Sequence, residues 1–211
     1  MPPEPAVKRT VAFIDGQNLF HSARESFGYT YPNFDVLSLA RLICQRQGWQ
    51  LGQVHFYTGI PDPADDPFWN YFWQHKLAML GRQGVTVYSR PLRYRNRRIR
   101  LPDGTEHTYL AGEEKGIDVR IALDIVQMAH RGEYDVALVF SQDQDLSEVA
   151  EEVRTIAKEH DRWLKIACAY PLSPTARNRR GINKTDWIPI DRAMYDLCLD
   201  LRDYRPPKRS P

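Results

Sequence analysis

Residues 138–149 read LVFSQDQDLSEV. An apolar run with the pattern of a buried strand ends at Ser141, and Asp143, Asp145 and Glu148 follow within one short turn. Carboxylates this close repel one another, and in a partly buried crevice they cannot all stay ionised without compensation. A hard divalent cation supplies it, because Mg²⁺ takes few carboxylates, keeps several waters and shares substrate phosphate oxygens. Such a cluster suits phosphodiester hydrolysis, where a metal activates water and neutralises charge on the phosphoryl oxygens. The stretch also has a purely structural explanation, since acids are favoured at a helix start by capping and by the dipole.

Two more acids stand where they could join this group. The run TVAFIDGQN ends on Asp15, with Gly16 and Asn18 just after it, and in EEKGIDVRIALDIV a helix start places Asp118 in its first turn beside Lys115. Asp124 lies about 240° further round that helix and points elsewhere. Each acid taken singly is explained by a strand-end turn or a first-turn position. Three at equivalent ends of neighbouring elements is a stronger coincidence.

The elements that must position them follow from periodicity. Short β-rich runs (TVAFID, QVHFYTG, VTVYSRPL, DVALVFS, WLKIACAY, DWIPI) alternate with helix-period segments at Asp35 to Gln47, Pro67 to Arg82, Ile117 to His130, about Leu146 to His160, and Arg192 to about Leu201. This alternation predicts an α/β fold with a mostly parallel central sheet and helices on both faces. A strand order of about 3-2-1-4-5 would make the first and fourth parallel strands neighbours. Asp15 and Asp143 would then face one crevice at the carboxyl edge, where open α/β sheets bind ligands. Between VTVYSRPL and Ile117, two β-prone runs flank Pro102, Asp103 and Gly104, a strong signal for an inserted β-hairpin.

Bulk properties narrow the class. A chain of 211 residues suffices for one buried core, and 42% hydrophobic with 27% charged residues argues against disorder. We expect a single domain over 8–204, with 1–7 and 205–211 as flexible tails poor in hydrophobes. No apolar run approaches the roughly 18 residues of a membrane span, and the start MPPEPAVKRT lacks a signal peptide's apolar segment. The expected location is the cytoplasm, with no membrane partner. Cys44, Cys168 and Cys198 are widely spaced with no CxxC pair, so reduced core residues are expected.

Net charge is only +2, yet its distribution is uneven. Arg90, Arg93, Arg95, Arg97, Arg98 and Arg100 fall in one expected hairpin strand with Tyr88 and Tyr94 interleaved, and Arg177, Arg179, Arg180 and Lys184 follow the fifth parallel strand. Guanidinium groups bind phosphate bidentately or stack on bases, so an acid pocket flanked by basic arms suits a nucleic acid. Protection of an exposed hairpin edge by solvated charge is the plainer explanation. The aromatic run Phe68, Trp69, Tyr71, Phe72, Trp73 is read as core or a subunit interface rather than a stacking platform, which leaves room for a homo-oligomer.

With IDGQN, KGIDVRIALD and FSQDQDLSEV present in this order, the chain resembles the NYN family of PIN-like ribonucleases, in its LabA-like branch, over roughly residues 10 to 190. The resemblance implies a three-layer PIN-like fold, a metal-dependent ribonuclease site using Mg²⁺ or Mn²⁺, and single-stranded or structured RNA as substrate. By position it implies Asp15, Asp118 and Asp143 as metal-binding acids, Asp145 as an outer ligand or base, Asn18 orienting the site and Ser141 supporting it by hydrogen bonds. Lys115, the hairpin arginines 93 to 100, and Arg177, Arg179, Arg180 and Lys184 would contact RNA. Gln142 and Leu146 depart from the family's Gly and aromatic residue, and Gln142 is expected to crowd the crevice. The alternative is a non-catalytic RNA-binding module on the same fold. A haloacid dehalogenase-type phosphotransferase is disfavoured, because Gln17 stands where its second Asp is needed.

Overall fold

The computed structural model describes residues 2–207, the Leu110 side chain excepted. Residues 208–211, and Met1, which fall in the expected tails, lie outside the described residues. In chain order the elements are β1 (Arg9–Asp15), α1 (Gly16–Phe27), α2 (Val36–Gln47), β2 (Gln50–Ile60), α3 (Pro67–Arg82), β3 (Thr86–Pro91), β4 (Arg93–Arg100), β5 (Glu106–Glu113), α4 (Ile117–His130), β6 (Val136–Phe140), α5 (Ser147–Glu159), β7 (Lys165–Pro171), β8 (Asp186–Ile190) and α6 (Arg192–Asp196).

Six strands form one sheet in the order β3-β2-β1-β6-β7-β8, and every neighbouring pair is parallel. The expected order is therefore present, with β8 added at the far edge. Strand alternation then divides the core. Ala12 and Ile14 of β1 and Leu138 and Phe140 of β6 pack with α1, α2 and α3 on one face. Val11, Phe13, Ala137 and Val139 pack with α4 and α5 on the other. Burial on both faces explains why β1 and β6 read as continuous apolar runs.

Three expectations need correction. Helix α1 follows β1 without a loop, whereas the sequence reading places no helix between β1 and Asp35. Leu19, Phe20, Ala23 and Phe27 form its buried stripe, and Asp15 caps it. The last helix is only Arg192–Asp196. The chain leaves it because a non-local pairing wins: Phe34 bridges Leu199, Asp35 N donates to Cys198 O at 2.8 Å and Asp200 N to Asn33 O at 2.7 Å. Arg90 and Tyr88 lie in β3, paired with β2 in the main sheet, and not in the hairpin strand.

The hairpin itself forms as expected. Strands β4 and β5 pair antiparallel as a separate two-stranded sheet, and Gly104 takes φ 86° at its tip, a conformation glycine adopts without strain. On α3, Phe72 and Trp73 are buried while Phe68 and Tyr71 remain exposed. All three cysteines are buried and free. Among the described residues no helix is long and apolar enough to cross a membrane.

Candidate active site

Strand register brings the acids together. Ile14 pairs with Phe140, so the next residues, Asp15 and Ser141, emerge side by side at the carboxyl edge of the sheet. Both continue the odd-numbered alternation that faces α4, whose first turn carries Asp118. Ser141 Oγ donates to Asp15 Oδ2 at 3.4 Å and accepts from Asp143 N at 3.1 Å. Asn18 N donates to Asp15 Oδ1 at 3.0 Å, and Asn18 Oδ1 accepts from Gln142 N at 2.8 Å. Asp15 is thus both the cap of α1 and a site carboxylate, and Asn18 ties the α1 start to the loop after β6.

Asp15, Asn18, Asp143, Gln17, His21 and Glu114 border one cleft of about 270 Å³. Asp15 is only 6% exposed. Burial, with the charges of Asp143 and Asp118, pushes its carboxyl up to about 6 against the opposing hydrogen bonds from Asn18 and Ser141. Glu114 is a carboxylate that the sequence reading missed. Burial raises it to about 8, helped by Asp15 and Asp118, although the Gly59 N–H donates to its Oε1. The signal was a second acid two residues before Gly116. It was not interpretable locally, since only the return of the hairpin at Glu113 delivers Glu114 to the cleft. His21 was missed too; burial and Arg24 favour its neutral form.

Other expected residues stand apart. Neither Asp118 nor Asp145 borders the cleft: Asp118 acts on it only through its charge on Asp15 and Glu114, and Asp145 is exposed, its backbone N–H donating to Asp143 Oδ1 at 3.0 Å. Asp124 is held by Tyr57 Oη and Arg120 Nε, each at 2.9 Å. Gln142 does not crowd the crevice as expected. It is buried, accepts from Ser22 Oγ at 2.7 Å and donates to Arg180 O at 2.9 Å, so it clamps α1 to the loop after β7. Leu146 fills the α4/α5 core, where an apolar side chain of any shape that packs will serve.

The basic groups differ in availability. Lys184 is paired with Glu151 at 2.5 Å and lies 3.9 Å from Glu148, which makes it a tether to α5. Arg97 pairs with Glu113 at 2.6 Å, and Arg95 and Arg98 each lie 4.0 Å from an acid of β5. Arg93, Arg100 and Lys115 are exposed and make no ion pair among the described residues. The backbone of the 177–181 loop is held by Glu25, Gln142 and Gln144, while the side chains of Arg177, Arg179 and Arg180 form no ion pair among the described residues.

Carboxylate oxygens are hard donors, and carboxylates gathered around one cleft attract a cation. Among the described residues no three His, Cys, Asp or Glu side chains converge tightly enough to form a ready-made cage. An Mg²⁺-like ion that keeps most of its waters needs only one or two direct carboxylates, so Asp15 and Asp143, backed by Asp118 and Glu114, fit such an ion.

A family model described as NYN domain matches residues 9–160. Among solved structures, the chain is similar to a protein of unknown function from Vibrio parahaemolyticus, at 22% identity over 91% of this chain and 96% of that one, with TM-score 0.53. It is less similar to a ribokinase from Giardia lamblia, at 9% identity over 87% and 58%, with TM-score 0.41. The first likeness is one of fold. No curated protein matches the chain.

Proposed function

The chain belongs to the NYN domain family, and from that membership we propose that it is a ribonuclease that hydrolyses RNA phosphodiester bonds with the help of Mg²⁺ or Mn²⁺. The observation that carries this reading is the Asp15 carboxylate at the carboxyl edge of the sheet, nearly fully buried, raised chiefly by that burial and further by the charges of Asp143 and Asp118. A buried acid that its own fold holds close to two others has no structural use for their repulsion. A divalent cation bound there would supply an activated water and charge neutralisation.

The chain's own groups then have separable tasks. Asp15 and Asp143 would hold the cation, with Asp118 and Glu114 lending negative potential around it. Ser141 and Asn18 fix the Asp15 carboxylate in place through their hydrogen bonds. Arg93, Arg100, Lys115 and the 177–180 arginines would bind phosphates on either side, positioning the strand without reading its sequence. Asp145 is placed outside the cleft and would act only through water. We also propose that cleavage is internal to the strand.

A second reading, an RNA-binding module without turnover, is favoured by the lack of a preformed three-ligand cage among the described residues. Both are tested by incubating labelled RNA with the purified protein in Mn²⁺ or in chelator, alongside Asp15→Asn, Asp118→Asn and Asp143→Asn. The nuclease reading expects Mn²⁺-dependent cleavage that each variant lowers by about 100-fold or more, with RNA binding retained. Cleavage at wild-type rate in all three variants would reject it, and salt-sensitive binding without turnover would select the second reading.

A further inference from the structure

Beside the acid cleft opens a second cavity of about 240 Å³. Gln17 and Leu92 line both spaces, so the cavity adjoins the cleft. One wall is aromatic and comes from two helices, Phe20 from α1 and Trp69 and Trp73 from α3, and Thr30, Pro32 and Pro61 close the cavity from loops. Phe20 and Trp73 are buried, whereas Trp69 is only partly covered. Trp69 has three aromatic neighbours, its ring centroid lying 6.4 Å from that of Phe20 in a tilted contact and 5.2 and 5.4 Å from those of Phe72 and Phe68 in edge-on contacts. Those neighbours fix the orientation of the indole, and the part of it left uncovered lines the cavity.

The rim is polar. Gln17 Nε2 reaches Gly59 O at 3.4 Å, and no hydrogen bond among the described residues engages its Oε1. Arg24 lies two turns further along α1, is exposed, and makes no ion pair among the described residues. A planar amide and a guanidinium beside a fixed indole match the groups that hold a base splayed from a single strand, by stacking and by hydrogen bonds to its edge. An apolar peptide side chain would leave both polar groups without use.

We propose that this cavity takes one unstacked nucleobase of the RNA strand, stacked on Trp69 and held at its edge by Gln17 and Arg24, and so selects which phosphodiester bond enters the acid cleft. The inference rests on the ribonuclease reading above and adds to it a base subsite distinct from the phosphate contacts. Since every base has a flat face, stacking alone would tolerate any base; Gln17 and Arg24 would supply what preference there is.

The test uses a short single-stranded RNA in which an abasic site is moved along the sequence one position at a time. Cleavage is read with the wild-type protein, and binding with Asp15→Asn, which leaves the strand intact. One position at a fixed offset from the cut bond should lose affinity by about ten-fold, the order of one base–aromatic stack. A fluorescent purine analogue at that position should be quenched on binding. Trp69→Leu should make the intact and abasic strands bind alike, and Trp69→Phe should restore the difference. Arg24→Ala, an exposed change that does not threaten folding, should weaken the intact strand and leave the abasic one unaffected. Affinity and cleavage that ignore the abasic site at every position overturn the subsite and leave the ribonuclease reading standing. A wild-type protein that neither binds nor cuts RNA overturns both.

Discussion

Removing the charge of Asp15 should have opposite effects on activity and on stability. Its carboxyl ionises at about 6 in the fold against 3.8 for the free group. A raised folded pKa means that its contribution to stability is fully present below about pH 4 and is lost as pH rises through about 6. The rise corresponds to roughly 3 kcal/mol at pH well above 6. In the absence of metal, Asp15→Asn should therefore melt higher than wild type near pH 8, and the two should converge near pH 4. Mn²⁺ should raise the wild-type melting temperature more than that of the variant. Parallel melting curves across this range, with and without Mn²⁺, would show that the carboxylate carries no such penalty. Glu114, raised from 4.5 to about 8, gives a wider window: Glu114→Gln should match wild type in melting near pH 4, become increasingly stabilising as pH rises from 4.5 to about 8, and gain no more above that. Asp15 and Asp143 were legible as candidates because they stand at the ends of apolar runs. Glu114 was not, because its position depends on a hairpin whose path no local pattern specifies.

At the scale of elements, the junction of β1 and α1 carries the most structural consequence. Gly16 opens α1, and a Cβ there would come within 2.4 Å of the Phe56 ring tip. Phe56 is fully buried beside Phe34 and Trp73 and cannot swing away. Gly16→Ala should thus destabilise the protein by about 1–3 kcal/mol, measurable in denaturant, and should reduce cleavage further by displacing Asp15 and Asn18. The hairpin poses the opposite case. Its strand β4 is almost wholly exposed, so Arg93→Ser with Arg100→Ser should leave the melting temperature unchanged. RNA affinity should fall, and the slope of log affinity against log salt should become shallower by about one for each phosphate left unneutralised. An unchanged slope would assign these arginines to edge protection alone. The hairpin was readable from Asp103-Gly104 between β-prone runs, whereas α1 was not, because a glycine after an acid signals a turn as readily as a capped helix start.

Across the whole molecule, the C-terminal segment is secured by a buried charge. Lys76 of α3 is fully buried; its Nζ donates to Phe34 O at 2.9 Å and pairs with Asp200 at 3.2 Å. Burial lowers its pKa against the pull of Asp200. Asp200→Ala should destabilise by roughly 3–5 kcal/mol by leaving a buried charge unpaired, and adding Lys76→Met should recover much of that loss, as thermal melts would show. If the single variant melts like wild type, the pair does not hold the segment. By itself the sequence determined the alternation of strands and helices, the hairpin turn and the acids at strand ends, because periods of 2 and 3.6 are set by neighbours in the chain. Only the tertiary structure decided that Lys184 is spent on Glu151, that Gln142 clamps two loops, and that Glu114 joins the cleft. Those outcomes follow from strand register between residues such as Ile14 and Phe140. Contacts between residues so far apart in the chain leave no repeating trace in the local pattern of residue types.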